Sequence, residues 1–391
     1  MRFISWFHLL AVSSSLLLLP GCSGLRGDAS LSQGKAPSTA DIGYPDNYLE
    51  FKAGKDPENM IAADFNNDGV PDVAIVSHGD NCIKIFRGKG DRKFELHQTL
   101  TKEIVGFHPD FIASTDWDGD GFLDLILAAE GTHCAVYLKN VNGERFVSSA
   151  KFQVKYPPKS IAVSDIDNDG NKDVVLGPYS YGNVMVLWGK GKPGFDFDAS
   201  EIKAGPFASS VCIADWNNDG KPDVFWTETE RYNIKVAVNL GNRKFLTKTL
   251  FHRSKIMLEL PRSVVTADID GDGCIDALSP LEIGRAAVII YGDCRGGLHS
   301  IEKIKAPSWG YRGIGAIAAG ETHPAMIALG EKKKMFIGIK DGAGEWKLRE
   351  YKAGNVPENF MFTDIDQDGH IDVLFVDSAG DTGSIYFGPL I

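Results

Sequence analysis

The feature that most restricts the fold is a nine-residue acidic loop written six times. The copies are DFNNDGVPD at 64–72, DWDGDGFLD at 116–124, DIDNDGNKD at 165–173, DWNNDGKPD at 215–223, DIDGDGCID at 268–276 and DIDQDGHID at 364–372. Their first residues are separated by 52, 49, 50, 53 and 96 positions, so the last interval holds two periods. Within it, AIAAGETHPAMIAL at 316–329 aligns with VTADIDGDGCIDAL at 265–278. Ala319, Glu321, His323 and Ile327 stand there in place of Asp268, Asp270, Asp272 and Asp276. The unit persists in this copy and its acids do not. Seven units of about 50 residues point to a propeller or a solenoid rather than to independent domains.

Each unit reads as strand throughout. Short apolar runs such as SIAVSD (160–165), DVVLG (173–177) and NVMVLW (183–188) are separated by Gly, Pro and Asn clusters. Four short strands with glycine-rich turns is the pattern of one propeller blade. The ends of the chain favour a closed ring. YLEFKAG at 48–54 and YKAG at 351–354 both run on into Pro-Glu-Asn, yet the chain stops after the third strand of its last unit. Residues 48–53 supply the missing outer strand and remove an open sheet edge. The expected fold is all-β: a seven-bladed propeller of four-stranded antiparallel blades over residues 46–391, its ring closed by an N-terminal strand in the last blade.

The acidic loops are not EF-hands. An EF-hand needs a bidentate Glu at its twelfth position and flanking helices. Here that position holds Ile75, Leu127, Leu176, Trp226, Ser279 and Phe375, and the flanks are strands. The pattern instead places side-chain oxygens at loop positions 1, 3, 5 and 9, with a position-7 carbonyl to add. The ligands expected are Asp64, Asn66, Asp68 and Asp72; Asp116, Asp118, Asp120 and Asp124; Asp165, Asp167, Asp169 and Asp173. The remaining three loops offer Asp215, Asn217, Asp219 and Asp223; Asp268, Asp270, Asp272 and Asp276; Asp364, Asp366, Asp368 and Asp372. Hard oxygen donors without His or Cys favour Ca2+ over zinc or magnesium. Six structural calcium ions would move the formal charge from −11 to about +1. Trp117 and Trp216, at loop position 2, read as packing residues because other copies carry Phe or Ile there.

On these loops the chain resembles FG-GAP/VCBS-type repeats, as in the integrin α-subunit propeller and many exported bacterial proteins. The resemblance covers roughly residues 48–391. It implies the fold and the calcium. Such repeats occur in adhesion heads, in lectins and in some propeller polysaccharide lyases, so it says little about the ligand. The sixth unit departs from the pattern, and calcium is not carried over to it.

The first residues read as an export signal. Arg2 precedes an apolar run from Leu9 to Leu19, too short to span a membrane, which ends in Leu-Pro-Gly-Cys at 19–22. This resembles the bacterial lipobox. It implies a signal peptide over 1–21, lipidation of Cys22, a flexible tether over 22–45, and anchoring in the cell envelope, at the outer membrane of a diderm bacterium. Export permits disulfides. Five cysteines follow Cys22; Cys274 and Cys294 fall on one face of one blade and form a plausible pair, closing a loop of about 20 residues. The acidic balance disfavours nucleic acid as a partner.

The loops between strands D and A and between B and C share the face opposite the acidic loops, the usual place for variable function. Prolines 57, 109, 157, 206, 261, 307 and 357 mark the D–A turns. Around them lie His78, His133, Tyr179, Tyr181, Arg262, Arg285, Trp309, Tyr311 and Arg312, with His78 and His133 at equivalent points of two blades. Aromatics with Arg and His could stack on sugar rings and hold a uronate. Two functions follow: a non-catalytic binding propeller for carbohydrate or an extracellular protein, or a polysaccharide lyase using His133, Tyr181 and Arg312. The binding propeller is the preferred reading.

Overall fold

The computed structural model describes residues 47–191, 194–252, 259–306, 310–321, 323–341 and 343–390. The signal segment, Cys22, the tether to residue 45, Pro307 and Trp309 lie outside the described residues.

The chain forms seven four-stranded antiparallel sheets. Six are consecutive meanders. The first is β2 (Pro57–Ala63), β3 (Asp72–Ser77), β4 (Cys82–Gly88) and β5 (Phe94–Leu100). In the seventh sheet β1 (Tyr48–Lys52) pairs with the strand Thr382–Tyr386, which is followed across the sheet by Asp372–Asp377 and Pro357–Thr363. The N-terminal strand thus completes the last blade, as the unfilled edge of that unit required. Among the described residues only short helical turns interrupt the strands, such as Lys102–Val105.

The second strand of every blade is buried along its whole length, as in DVAIVS at 72–77. A single sheet with one wet face would alternate apolar and polar residues. Here both faces of each blade meet a neighbour, so the strand is apolar on both. Seven hydrophobic clusters match the seven interfaces between blades. Position 2 of each acidic loop plugs one of them: Phe65, Trp117, Ile166, Trp216, Ile269 and Ile365 are at most 4% exposed. Trp117 and Trp216 are therefore packing residues.

The two clusters at the closure take residues from β1. Tyr48 packs between blades six and seven, and Phe51 between blades seven and one. Phe51 also meets the rings of Phe86 and Phe94, at 4.9 and 5.3 Å between centroids.

In blade five, Cys274 and Cys294 are bonded. The link ties the acidic loop to the residue pair after Ala286–Gly292, and a loop of this length stabilises by ~3 kcal/mol in the chain-entropy model. Cys82 and Cys134 occupy the same register in blades one and two, opposite Ser77 and Ala129, and are free and buried.

Phe51→Ala should cost about 3–5 kcal/mol, because it empties the interface that closes the ring. Chemical denaturation checks this; a wild-type midpoint would show that β1 does not hold the last blade.

Candidate functional site

The acidic loops owe their shape to their own carboxylates. The position-9 aspartate of every acidic loop is at most 1% exposed. One of its oxygens accepts from the position-2 N–H, for example Ile166 to Asp173 at 2.8 Å. The other accepts from an N–H on strand C or just beyond it, 16 residues further on: Gly88, Asn140, Gly189, Asn239, Gly292 and Gly388, at 2.6–3.0 Å. Burial pushes the carboxyls of Asp173, Asp223, Asp276 and Asp372 up to about 6, against the pull of these donors.

The position-1 aspartate folds the loop tip. Asp165 accepts from Asp169 N–H at 3.0 Å and Gly170 N–H at 2.8 Å. Glycine at position 6 carries φ of 80–93° throughout the set, with Gly69 at 85°. Position 4 is left-handed as well, filled by Asn67, Gly119, Asn168, Asn218, Gly271 and Gln367. Three of these side chains do more. Asn67, Asn168 and Gln367 donate to the position-6 carbonyl of the next blade, Gly121, Gly220 and Gly69. Acidic loops are thus linked around the ring, a role that sequence reading missed although Asn recurs at that position.

What remains on these loops suits a hard divalent cation. Donor atoms of Asp116, Asp118 and Asp124 lie within 4.8 Å of one another, as do those of Asp165, Asp167 and Asp173, and of Asp268, Asp270 and Asp276. Asp167 Oδ1 and Asn217 Oδ1, both at position 3, are buried without a partner. A buried oxygen with no donor is costly, and a metal ion would satisfy it. Positions 1, 3, 5 and 9 would hold the ion, and the ion would neutralise their mutual repulsion. Basic side chains already lean on the same acids: Lys139 on Asp118 and Asp120, Arg92 on Asp366 and Asp368, Arg243 on Asp167. In blade six, Ile327 is fully buried, and His323 accepts a backbone bond from Gly320 through its carbonyl.

The opposite rim is a charged network. The residue after the aligned proline is charged in five blades: Glu58, Asp110, Lys159, Arg262 and Glu358. The third of these follows Pro158, not Pro157. The residue after strand B adds His78, Glu130, Tyr179 and Glu282, each fixed by its N–H to a D–A carbonyl. Lys159 Nζ lies 3.0 Å from Glu58 and 2.8 Å from Asp110. Burial works against its charge, but the two carboxylates outweigh burial and raise its pKa. Arg262 pairs with Glu282 at 2.9 Å, and Arg312 with Glu358 at 3.1 Å and Glu282 at 3.5 Å. Burial raises the carboxyls of Glu130 and Glu358.

Of the rim residues chosen from sequence, His78, Arg262 and Arg312 join this network. Tyr179 (41% exposed) and Tyr181 (71% exposed) border it beside Phe207, at 6.5 and 6.1 Å between rings. Three expectations need correction. Tyr311 is fully buried in the interface of blades five and six, 6.1 Å from the Phe336 ring, because its apolar ring fills that core. His133 is not the counterpart of His78; Glu130 is. His133 and Arg285 are exposed residues at the left-handed B–C turn position, φ 53° and 50°, whose carbonyls accept from Val154 and Ala306. His133, Tyr181 and Arg312 share no hydrogen bond or ion pair in the described residues.

Comparison with known proteins places the chain. A family model for the FG-GAP-like repeat matches residues 64–126, 116–176, 165–226 and 215–279. The chain belongs to the FG-GAP-like repeat family. Over 175 residues it is 24% identical to cartilage acidic protein 1 of Xenopus tropicalis, covering 41% of this chain and 27% of that protein. The chain thus spans about a quarter of that relative. Virginiamycin B lyase from Staphylococcus aureus shares the fold at TM-score 0.59 and 13% identity, over 87% of this chain and 99% of that one. So does a lectin from Agrocybe aegerita that recognises non-reducing terminal N-acetylglucosamine, at TM-score 0.53 and 16% identity, over 76% and 81%. Likeness at these identities concerns the fold alone.

Lys159→Met would leave Glu58 and Asp110 facing each other without a cation. A loss of about 3 kcal/mol or more is expected in urea denaturation. An unchanged midpoint would show that the rim does not depend on this lysine.

Proposed function

We propose that this chain is an exported, lipid-anchored, calcium-stabilised propeller that binds a ligand without catalysis on the face opposite its acidic loops. The anchor is the Cys22 lipid, set in the outer membrane of a diderm cell envelope. The ligand class best supported is a neutral or amino sugar. The observation that carries this is the exposed Tyr179 and Tyr181 beside a rim whose arginines and lysine are already paired with carboxylates. Exposed aromatic faces stack on sugar rings. An anionic sugar would have to displace Glu282 or Glu358 from Arg262 or Arg312, and would meet the remaining acids. This argues against the uronate expected from the arginines alone.

Calcium is read as structural. At ~1 mM calcium and a Kd near ~10⁻⁴ M, each site adds roughly 1.4 kcal/mol. A chelator should therefore lower the melting temperature by many degrees, and added Ca2+ should restore it. The sign of the pH effect follows from the position-9 aspartates. Burial raises all six, and puts Asp173, Asp223, Asp276 and Asp372 at about 6 in the ion-free fold against a reference of 3.8. The ion-free fold therefore binds extra protons between about pH 4 and 6, and these groups lower its stability as pH rises through that window. Calcium takes the ionised form. The gain in melting temperature from calcium should grow from pH 5 to pH 7.5; a gain independent of pH would count against coordination by these acids.

On a glycan array, wild-type protein should bind neutral or amino-sugar glycans, and Tyr181→Ala should bind at least tenfold more weakly with an unchanged melting temperature. Binding confined to a protein partner would remove the sugar reading. Detergent-phase partitioning abolished by Cys22→Ser checks the anchor.

A further inference from the structure

Between blades one and two, on the rim, two imidazoles and a carboxylate come together. One donor atom from each of His78, His108 and Glu130 lies within 4.8 Å of the others. The imidazole rings are 4.4 Å apart at 65°. Their positions are set by the backbone. His108 N–H donates to Asn81 Oδ1 at 2.7 Å from blade one, while its carbonyl accepts from Glu130 N–H at 2.9 Å from blade two. The loop is held from both sides.

We propose that His78, His108 and Glu130 form a second metal site, chemically distinct from the calcium loops, that takes Zn2+ or a similar borderline divalent ion. Two nitrogens and one carboxylate oxygen suit such an ion, whereas the acidic loops offer oxygen alone. Asp110 is the positioning residue. Its Oδ1 lies 3.0 Å from His78 Nδ1, leaving Nε2 as the ring atom for an ion, in the carboxylate–histidine arrangement that orients metal ligands. Lys159 holds the same Oδ1 at 2.8 Å.

An independent observation points into the cluster. Asp110 is fully buried, and its Oδ2 has no hydrogen-bond partner. Glu130 Oε2 is likewise buried and unpartnered. Buried carboxylate oxygens without donors are costly and call for a cation or a shared proton. Five carboxylates in this network, Glu58, Asp110, Glu130, Glu282 and Glu358, face three permanent cations, Lys159, Arg262 and Arg312; a divalent ion makes up the difference. His108 is exposed and gives the ion an entry path. Closing three ligands around one zinc at ~2.0–2.1 Å asks for side-chain shifts of about an ångström.

The full-length chain, with excess Ca2+ to fill the acidic loops, is titrated with Zn2+ by calorimetry. One zinc per chain is expected. His108→Ala should weaken it at least tenfold without changing the zinc-free melting temperature, since the side chain is exposed. Asp110→Asn should weaken it by 10–100-fold. Co2+ in place of zinc should show ligand-field bands without thiolate charge transfer. Absence of zinc binding overturns the proposal. So does binding indifferent to His108→Ala, or a thiolate band placing the ion on Cys82 or Cys134.

Discussion

The structure depends on one buried carboxylate in each of six blades. The position-9 aspartate accepts one N–H from its own loop and one from strand C, and both oxygens are out of water. Hydrogen bonds to a charged group contribute about 1.5–3 kcal/mol each, and stranding either donor in the interior would cost as much again. Asp72, Asp124, Asp173, Asp223, Asp276 and Asp372 repeat this brace around the ring. It fixes the hairpin angle, points the position-2 side chain into the next interface, and leaves positions 1, 3 and 5 clustered at the tip. Blade six dispenses with it: Ile327 fills the same place with an apolar side chain, and packing replaces the polar brace.

The same geometry separates two chemistries. At one end of the inner strands the repeat writes acids into every blade but one. At the other end it writes a single charged residue after a proline, and its sign varies from blade to blade. Because the inner strands converge on the axis, those varied charges meet. Glu58, Asp110 and Lys159 are separated by 52 and 49 residues in the chain yet lie within hydrogen-bond distance of a common nitrogen. The rim's electrostatics are therefore a sum over blades, and a substitution in one blade changes the partners of another.

Much of this was legible. The period, the hidden seventh unit and the borrowed outer strand all follow from repeat spacing and edge satisfaction, and the sheets confirm them. The packing role of Trp117 and Trp216 was legible from Phe and Ile at the same place in other copies. The rim was read less well. His133 looked like the match of His78 because both follow strand B closely, but three residues in a tight turn change a rim position into a left-handed turn position. Tyr311 looked like a mouth aromatic because it lies near a D–A turn; the depth of the interface between blades five and six claims it instead.

By itself the sequence determined the architecture, since a loop repeated at a fixed period forces equivalent blades, and an unpaired last strand demands a partner. It also determined where the acids cluster, because a nine-residue hairpin is a local object. Only the tertiary structure decided which charges face one another on the rim. Those contacts join residues about 50 positions apart, and the distance between them is set by the ring's curvature and blade packing rather than by anything local to either residue.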